Sequence, residues 1–157
     1  MQQTYLDRFL RYVSIDTRSD ESSQTVPSTA GQLTLAQQLT QELKDIGLDR
    51  VLLDGNGYIS ACLPANTTNT HQPVPAIGFI AHMDTAPDAS GSNVKPQRVE
   101  NYNGETIQLN AEQNIQLSPN EFPKLKQYIG KTLINHDSTT LLGADRTLTN
   151  IRRRRTQ

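Results

Sequence analysis

The spacing of apolar residues predicts two amphipathic helices in the first third of the chain. Apolar side chains recur every third or fourth position over residues 2–14 and again over residues 30–46, with polar residues between them. Thr29 followed by Gln32 fits a capping box at the start of the second helix. Gly47 fits the left-handed position that commonly ends a helix. The apolar face of the second helix is more typical of core packing than of a cofactor site.

A β-hairpin is expected next, because two short apolar stretches flank a strong turn signal. Residues 51–53 and 58–63 are the predicted strands, and Asp54-Gly-Asn-Gly57 between them has the composition of a hairpin turn. Residues 85–93 are rich in turn formers and predict a long loop. Further predicted elements are a weak strand near 105–109, a short helix over 119–129, and strands over 132–135 and 140–142.

The least polar stretch of the chain, residues 75–81, leads directly into His82 and then Asp84. A short continuous apolar run predicts a strand over residues 76–82 that is buried on both faces, as in a parallel sheet. Residues two apart in a strand point to the same side, so His82 and Asp84 can face one site. A neutral imidazole is the commonest metal ligand, and a nearby carboxylate can orient it. The short motif His-x-Asp by itself favours the alternative, in which His82 caps the end of a strand and Asp84 begins a turn.

Composition limits the classes of protein that fit. Hydrophobic residues make up 34% of the 157 residues, below the usual share for a globular domain. The single cysteine, Cys62, excludes an intrachain disulfide and a cysteine-based zinc finger. The N-terminal pattern is not that of a signal peptide, and no apolar run approaches the length of a membrane span. The sequence therefore predicts a cytoplasmic protein without a membrane partner.

The charge distribution changes abruptly near the end of the sequence. Residues 146–157 contain five arginines and no acidic residue, whereas the net charge of the whole chain is −1. We therefore expect an acidic body over residues 1–145 and a separate basic tail over residues 146–157. The four consecutive arginines at 152–155 could contact nucleic acid or a membrane surface. Because no recognition motif accompanies them, a disordered tail without a nucleic-acid partner is the expectation.

Asp145 is a third candidate for a site around His82. It lies just past the predicted strand 140–142, as Asp84 lies just past the predicted strand 76–82. If these strands are neighbours, the three side chains converge at one end of the sheet. An imidazole with carboxylates is a plausible ligand set for a divalent metal, with zinc as the first choice. Three residues alone do not establish such a site, because a closed zinc site needs four ligands and a catalytic zinc commonly has three protein ligands and a water.

Longer motifs are distributed over most of the chain: Leu6-Asp-Arg-Phe-Leu-Arg-Tyr-Val-Ser-Ile-Asp-Thr17, Val26-Pro-Ser-Thr29, Leu63-Pro-Ala-Asn66, Pro75-Ala-Ile-Gly-Phe-Ile-Ala-His-Met-Asp-Thr85 and Leu141-Leu-Gly-Ala-Asp145. Together they resemble the N-terminal part of the peptidase T family, the tripeptide aminopeptidases among bacterial dizinc metallopeptidases. The similarity covers about residues 5–145. It implies an α/β fold, namely the N-terminal portion of a zinc-peptidase catalytic domain with a mixed sheet flanked by helices.

The resemblance also implies a function and a role for each candidate residue. Enzymes of this family remove the N-terminal residue from tripeptides and use two zinc ions to activate water. Carried over by position, His82 is implied to be a ligand of one zinc. Asp84 is implied to be the acid that orients His82, and Asp145 the carboxylate that bridges both metals.

The resemblance stops at Asp145. The family continues Asp-Lys-Ala-Gly into a helix, whereas here Arg146 begins the basic tail and the sequence ends at Gln157. The family's general-base glutamate, its remaining metal ligands and its dimerisation domain would all follow Asp145. The sequence therefore predicts an N-terminal fragment, truncated by a frameshift or an early stop, that is inactive and fills its zinc positions incompletely. The alternative is a non-catalytic product that persists as a binding fragment.

Overall fold

The computed structural model of the chain describes residues 5–67 and 74–140. Their contacts form two compact units, the first from residues 5–16 and 88–140 and the second from residues 17–67 and 74–87. Helices and strands are both present, so the predicted α/β class is confirmed. The elements are the α-helices α1 (Tyr5–Val13) and α2 (Ala30–Asp45), a 3₁₀ helix (Pro123–Tyr128), and the strands β1 (Asp49–Leu53), β2 (Ile59–Cys62), β3 (Gln97–Val99), β4 (Ile107–Asn110), β5 (Ile115–Leu117) and β6 (Leu133–Asn135).

The strands of the described residues pair as three antiparallel two-stranded sheets. Strand β1 pairs with β2, β3 with β6, and β4 with β5. An isolated bridge between Arg18 and Thr85 adds a parallel contact. The mixed sheet expected from the sequence is therefore not formed within this part of the chain. None of the described helices is long and apolar enough to cross a membrane.

Helix α2 builds the core of the second unit by packing one face on β1 and β2. The buried side chains of the helix are Gln32, Leu35, Ala36 and Leu39. The helix ends in a Schellman motif, in which Gly47 at φ +83° donates its N–H to the Lys44 carbonyl at 2.9 Å. The N–H of Leu48 reaches the Leu43 carbonyl at 3.0 Å. The helix and its predicted end at Gly47 are therefore confirmed.

The start of α2 differs from the predicted capping box. Thr29 occupies the N-cap position, but its side chain makes no capping bond to the helix. Its hydroxyl donates instead to the Arg18 carbonyl at 3.0 Å. Gln32 accepts the backbone N–H of Ser28, at 3.0 Å, in place of the N–H of Thr29. The capping-box prediction was wrong, because the Thr29 and Gln32 side chains bond the segments before the helix. In a capping box each would bond the backbone N–H of the other.

Strands β1 and β2 form the hairpin that the turn signal predicted. In the turn, Asp54 Oδ1 accepts the backbone N–H groups of Asn56 and Tyr58, each at 2.9 Å. Gly57 adopts φ +82°, which a residue without a Cβ reaches at little cost. The composition of the turn therefore matches its geometry, and the hairpin prediction is confirmed.

Tyr102 is the main buried aromatic of the strand-rich part of the first unit, at 2% exposure. Its N–H donates to the Lys131 carbonyl at 2.9 Å, and its own carbonyl accepts the N–H of Gly130 at 2.8 Å. These two bonds join the segment that follows β3 to the segment that precedes β6. The Tyr102 hydroxyl donates to the Glu105 carbonyl at 2.7 Å. Tyr102 thus fills the core with its ring, and its backbone joins the segment after β3 to residues 130–131.

The remaining predicted elements of the first unit are present in shorter form. The helix expected over 119–129 is a 3₁₀ helix at Pro123–Tyr128, and Gly130 follows it at φ +79°. The strand expected over 132–135 is β6. Most of the strand predicted over 140–142 and all of the predicted basic tail lie outside the described residues.

The buried strand predicted over residues 76–82 was wrong. This stretch forms no strand, and its apolar side chains face solvent, with Ile77 77% and Ile80 97% exposed. A strand buried on both faces needs neighbouring strands at its edges and a packed layer on each face. The two-stranded sheets of the described residues are formed by other segments and do not include this stretch. An apolar run this exposed is an expected site of self-association.

Ile80→Lys is expected to increase the monomer fraction of the 157-residue chain. A charge in the middle of the exposed run must be desolvated when a second copy covers it, which opposes association. Sedimentation velocity over a concentration series measures the monomer fraction. Leu63→Lys is the matched control, since Leu63 is 56% exposed but lies outside the run. Equal monomer fractions for the two variants would contradict the role assigned to this stretch.

Candidate functional site

His82 and Asp84 are in direct contact just after the exposed apolar run. His82 Nδ1 lies 2.9 Å from the backbone carbonyl oxygen of Asp84 and 3.2 Å from its side-chain Oδ1. A carbonyl and an ionised carboxylate can only accept hydrogen bonds, so these contacts place a proton on Nδ1. In the neutral ring the lone pair is then on Nε2, which is the nitrogen that a metal would bind.

The second carboxylate oxygen of Asp84 has a different partner. Ser19 Oγ donates to Asp84 Oδ2 at 2.8 Å. Two backbone bonds fix the same region, since Ser19 N–H donates to the Thr85 carbonyl at 3.0 Å and Thr85 N–H to the Thr17 carbonyl at 3.1 Å. The segment 17–19 therefore lies alongside residues 84–85 and is joined to them through both backbone and side chain.

Helix α2 supports this segment from its first turn. Gln32 is 8% exposed, and its Nε2 donates to the Thr17 carbonyl at 3.2 Å and to Ser28 Oγ at 3.1 Å. Thr29 donates to the Arg18 carbonyl, as described for the start of the helix. A buried amide with partners for both its donor and acceptor atoms stabilises one arrangement of the loop, because any other would leave it unsatisfied. The contacts thus run from α2 through segment 17–19 to Asp84 and His82.

Solvent reaches the end of this chain of contacts. The His82 and Asp84 side chains are 58% and 49% exposed. An ion pair or hydrogen bond this accessible contributes little to folding stability, because water screens and competes for it. Its chemical significance is therefore the orientation of the imidazole ring.

Two of the three residues predicted for the site are brought together, and the third is outside the described residues. His82 and Asp84 touch, whereas Asp145 is not described, so its expected convergence with them stays a prediction. Within residues 5–67 and 74–140, no group of three or more His, Cys, Asp or Glu side chains is placed to hold a metal ion. The pair fits one metal ligand with its orienting acid, and further ligands would have to come from elsewhere.

Sequence reasoning missed the two polar residues that support Asp84. Ser19 lies in a polar loop and has no pattern that links it to Asp84, which is 65 positions away. Gln32 did carry a signal, because it occupies the apolar stripe of α2, three and four positions before Leu35 and Ala36. A polar residue on a buried helix face needs hydrogen-bond partners, and here it finds them in the neighbouring loop.

No family model matches the chain. Curated proteins named peptidase T are nevertheless similar to it. The chain is 59% identical over 140 residues to peptidase T of Alkaliphilus oremlandii, which is 89% of this chain and 34% of that protein. Identity to peptidase T of Desulfitobacterium hafniense is 61% over 140 residues, 89% of this chain and 33% of the relative. For a Geobacillus species the identity is 57% over 145 residues, 92% of this chain and 35% of the relative.

This chain spans about a third of the length of the relatives it matches. The aligned residues make up about nine-tenths of this chain. The resemblance expected from the motifs around His82 and elsewhere is therefore confirmed, and this chain is related to peptidase T over a part of those proteins.

Proposed function

We propose that the chain forms part of a zinc-dependent aminopeptidase that removes the N-terminal residue of tripeptides. In this proposal His82 would hold one zinc through Nε2, Asp84 would orient His82, and Asp145 would be the carboxylate shared by two zinc ions. The observation that carries the proposal is the contact of His82 Nδ1 with Asp84, in a chain 59% identical over 140 residues to a peptidase T.

The chemistry of the described residues suits this role. By accepting a hydrogen bond from Nδ1–H, Asp84 holds the ring in one tautomer and makes Nε2 more basic. The exposed position of His82 leaves room for further ligands to approach it. A zinc bound there would supply a Lewis acid that polarises a peptide carbonyl and lowers the pKa of a water.

The number of metal ligands in this proposal is too small for a complete peptidase site. A catalytic zinc commonly needs three protein ligands, and this proposal assigns only His82 and Asp145 to direct contact. We therefore propose that turnover depends on ligands and a general base from sequence outside these residues. A chain limited to them is then non-catalytic, whether or not it binds zinc.

A chimera tests the proposal directly. Residues 1–145 of this chain would replace the matching part of the Alkaliphilus oremlandii peptidase T, and hydrolysis of a tripeptide would be followed by release of the N-terminal amino acid. We expect the chimera to turn over the tripeptide in the presence of zinc and the 157-residue chain to give no rate above a zinc blank. Asp84→Asn in the chimera should lower the rate about 10–100-fold, the usual effect of removing a group that orients a metal ligand.

His82→Ala and Asp54→Asn complete the comparison. His82→Ala should abolish turnover, because it removes a proposed ligand. Asp54→Asn should leave it unchanged, because Asp54 lies in the β1–β2 turn. A folded but inactive chimera, or zinc-dependent turnover by the 157-residue chain that His82→Ala removes, would contradict the proposal.

A further inference from the structure

The Ser19 hydroxyl contacts the acid that orients His82. Ser19 Oγ lies 2.8 Å from Asp84 Oδ2, while Asp84 Oδ1 lies 3.2 Å from His82 Nδ1. The carboxylate therefore uses one oxygen for each neighbour. We infer that Ser19 is a positioning residue, which acts through Asp84 to hold the imidazole of His82 in the tautomer and direction that metal binding requires.

A carboxylate in this setting needs a second partner to stay in place. Asp84 is 49% exposed, and the terminal torsion of an aspartate is broad, so the His82 contact alone leaves the group free to rotate. A hydrogen bond from a hydroxyl to an ionised oxygen is among the stronger kinds in proteins. With Oδ2 held by Ser19, the remaining oxygen faces Nδ1 of the ring.

The backbone places Ser19 for this task before its side chain acts. Its N–H donates to the carbonyl of Thr85, the residue next to Asp84, at 3.0 Å. The buried Gln32 holds the Thr17 carbonyl at 3.2 Å, and its Nε2 lies 3.5 Å from Ser19 Oγ. Ser19 is thus fixed at both its backbone and its side chain, so its hydroxyl meets Asp84 without a large loss of rotamer freedom.

The effect should be partial, because the His82 ring has another contact. The Asp84 backbone carbonyl also accepts from Nδ1, at 2.9 Å, and would remain when Ser19 is changed. The part of the inference that concerns zinc rests on the proposed function, whereas the contact from Ser19 through Asp84 to the ring does not. The two can therefore be measured separately on the same protein.

The test compares two serine-to-alanine variants of the 157-residue chain. Ser19→Ala removes the contact to Asp84, and Ser22→Ala is the matched control, since the Ser22 hydroxyl donates at 2.6 Å to Asp20. The first readout is the ring-nitrogen NMR signal of His82 without metal, at a pH well above the ordinary imidazole pKa of about 6.5. The second is the apparent dissociation constant for zinc alone, measured by titration.

We expect Ser19→Ala to shift the His82 tautomer population away from Nδ1–H, by about twofold or more in the ratio. Zinc binding should weaken about three- to tenfold, less than the 10–100-fold typical of removing an orienting group itself. Ser22→Ala should change neither quantity. Ser19→Thr keeps the hydroxyl and should show the tautomer ratio and the zinc affinity of the unchanged chain. That result would exclude a general effect of substitution at this position on folding. If Ser19→Ala fails to fold, Ser19→Cys gives the same comparison, because a thiol is a weak donor of similar size.

Each outcome decides between the inference and the function on which it partly rests. A tautomer shift without weaker zinc binding would support the positioning role and overturn His82 as a zinc ligand. Weaker zinc binding without a tautomer shift would overturn the inference, because Ser19 would not then act through the ring. An unchanged tautomer in both serine variants would overturn it as well.

Discussion

Tyr102→Ala is expected to destabilise the first unit by about 3–5 kcal/mol, the range for removing a buried aromatic side chain. Tyr102 is 2% exposed, so its loss leaves a cavity that the surrounding chain can fill only in part. Its hydroxyl bond to the Glu105 carbonyl at 2.7 Å is lost too, and that carbonyl must find water. The free energy of unfolding would be obtained from a urea titration followed by the amide signals of β3, β4 and β6.

Two controls separate the contributions at this position. Tyr102→Phe keeps the ring and removes only the hydroxyl, so it should cost about 0.5–1.5 kcal/mol. Tyr128→Ala removes the same side chain from a site that is 49% exposed, and should cost much less than Tyr102→Ala. Equal losses for Tyr102→Ala and Tyr128→Ala would show that Tyr102 is not a core residue of this unit.

Leu35→Ala is expected to destabilise the second unit by about 2–5 kcal/mol. Leu35 is 2% exposed on the face of α2 that packs on the hairpin, beside Ala36 at 0%. Alanine favours the helix at least as well as leucine, so the loss would report packing and not helix propensity. A urea titration followed by the amide signals of α2, β1 and β2 gives the free energy of unfolding.

Leu52→Ala is the control, because Leu52 is in β1 and is 64% exposed. We expect a change within about 0.5 kcal/mol for this variant, as for other surface substitutions. If Leu35→Ala were no more destabilising than Leu52→Ala, the packing of α2 on the hairpin would not be what holds this unit together.

The parts of the fold that could be predicted are those specified by nearby residues. Helix α2 has a sustained apolar stripe and ends at Gly47, whose positive φ is a local requirement. The hairpin is defined by Asp54 and Gly57 within a turn of a few residues. In both cases the residues that determine the structure are close in sequence, either at successive turns of one helix or within one β-turn. A short window of sequence therefore contains the information.

The parts that could not be predicted depend on distant partners. Strand β3 has three residues and pairs with β6 more than thirty positions later, and β5 is equally short. The run before His82 was expected to be buried because it is apolar, yet burial requires neighbours that the described residues do not provide. Apolar character indicates that a segment is suited to a core, but it does not supply the opposite side of that core.

In the candidate site, too, local contacts could be predicted and distant ones could not. His82 and Asp84 are two positions apart, a spacing that allowed both side chains to face one site, and their contact forms although the expected strand does not. The support from Ser19 and Gln32 could not be predicted, because it depends on a loop folding back beside Thr85. The polar position of Gln32 on a buried helix face was the available clue, and only the structure identifies what it bonds.

The distance along the chain between Ser19 and Asp84 has a thermodynamic consequence. The two residues are 65 positions apart, and bringing such distant positions together costs loop-closure entropy. Helix α2 and the β1–β2 hairpin lie within this loop, and once folded they shorten its flexible part. The contact at Asp84 is therefore coupled to the folding of α2 and the hairpin, so a destabilising substitution deep in α2 would lower the fraction of molecules in which the imidazole is held by Asp84.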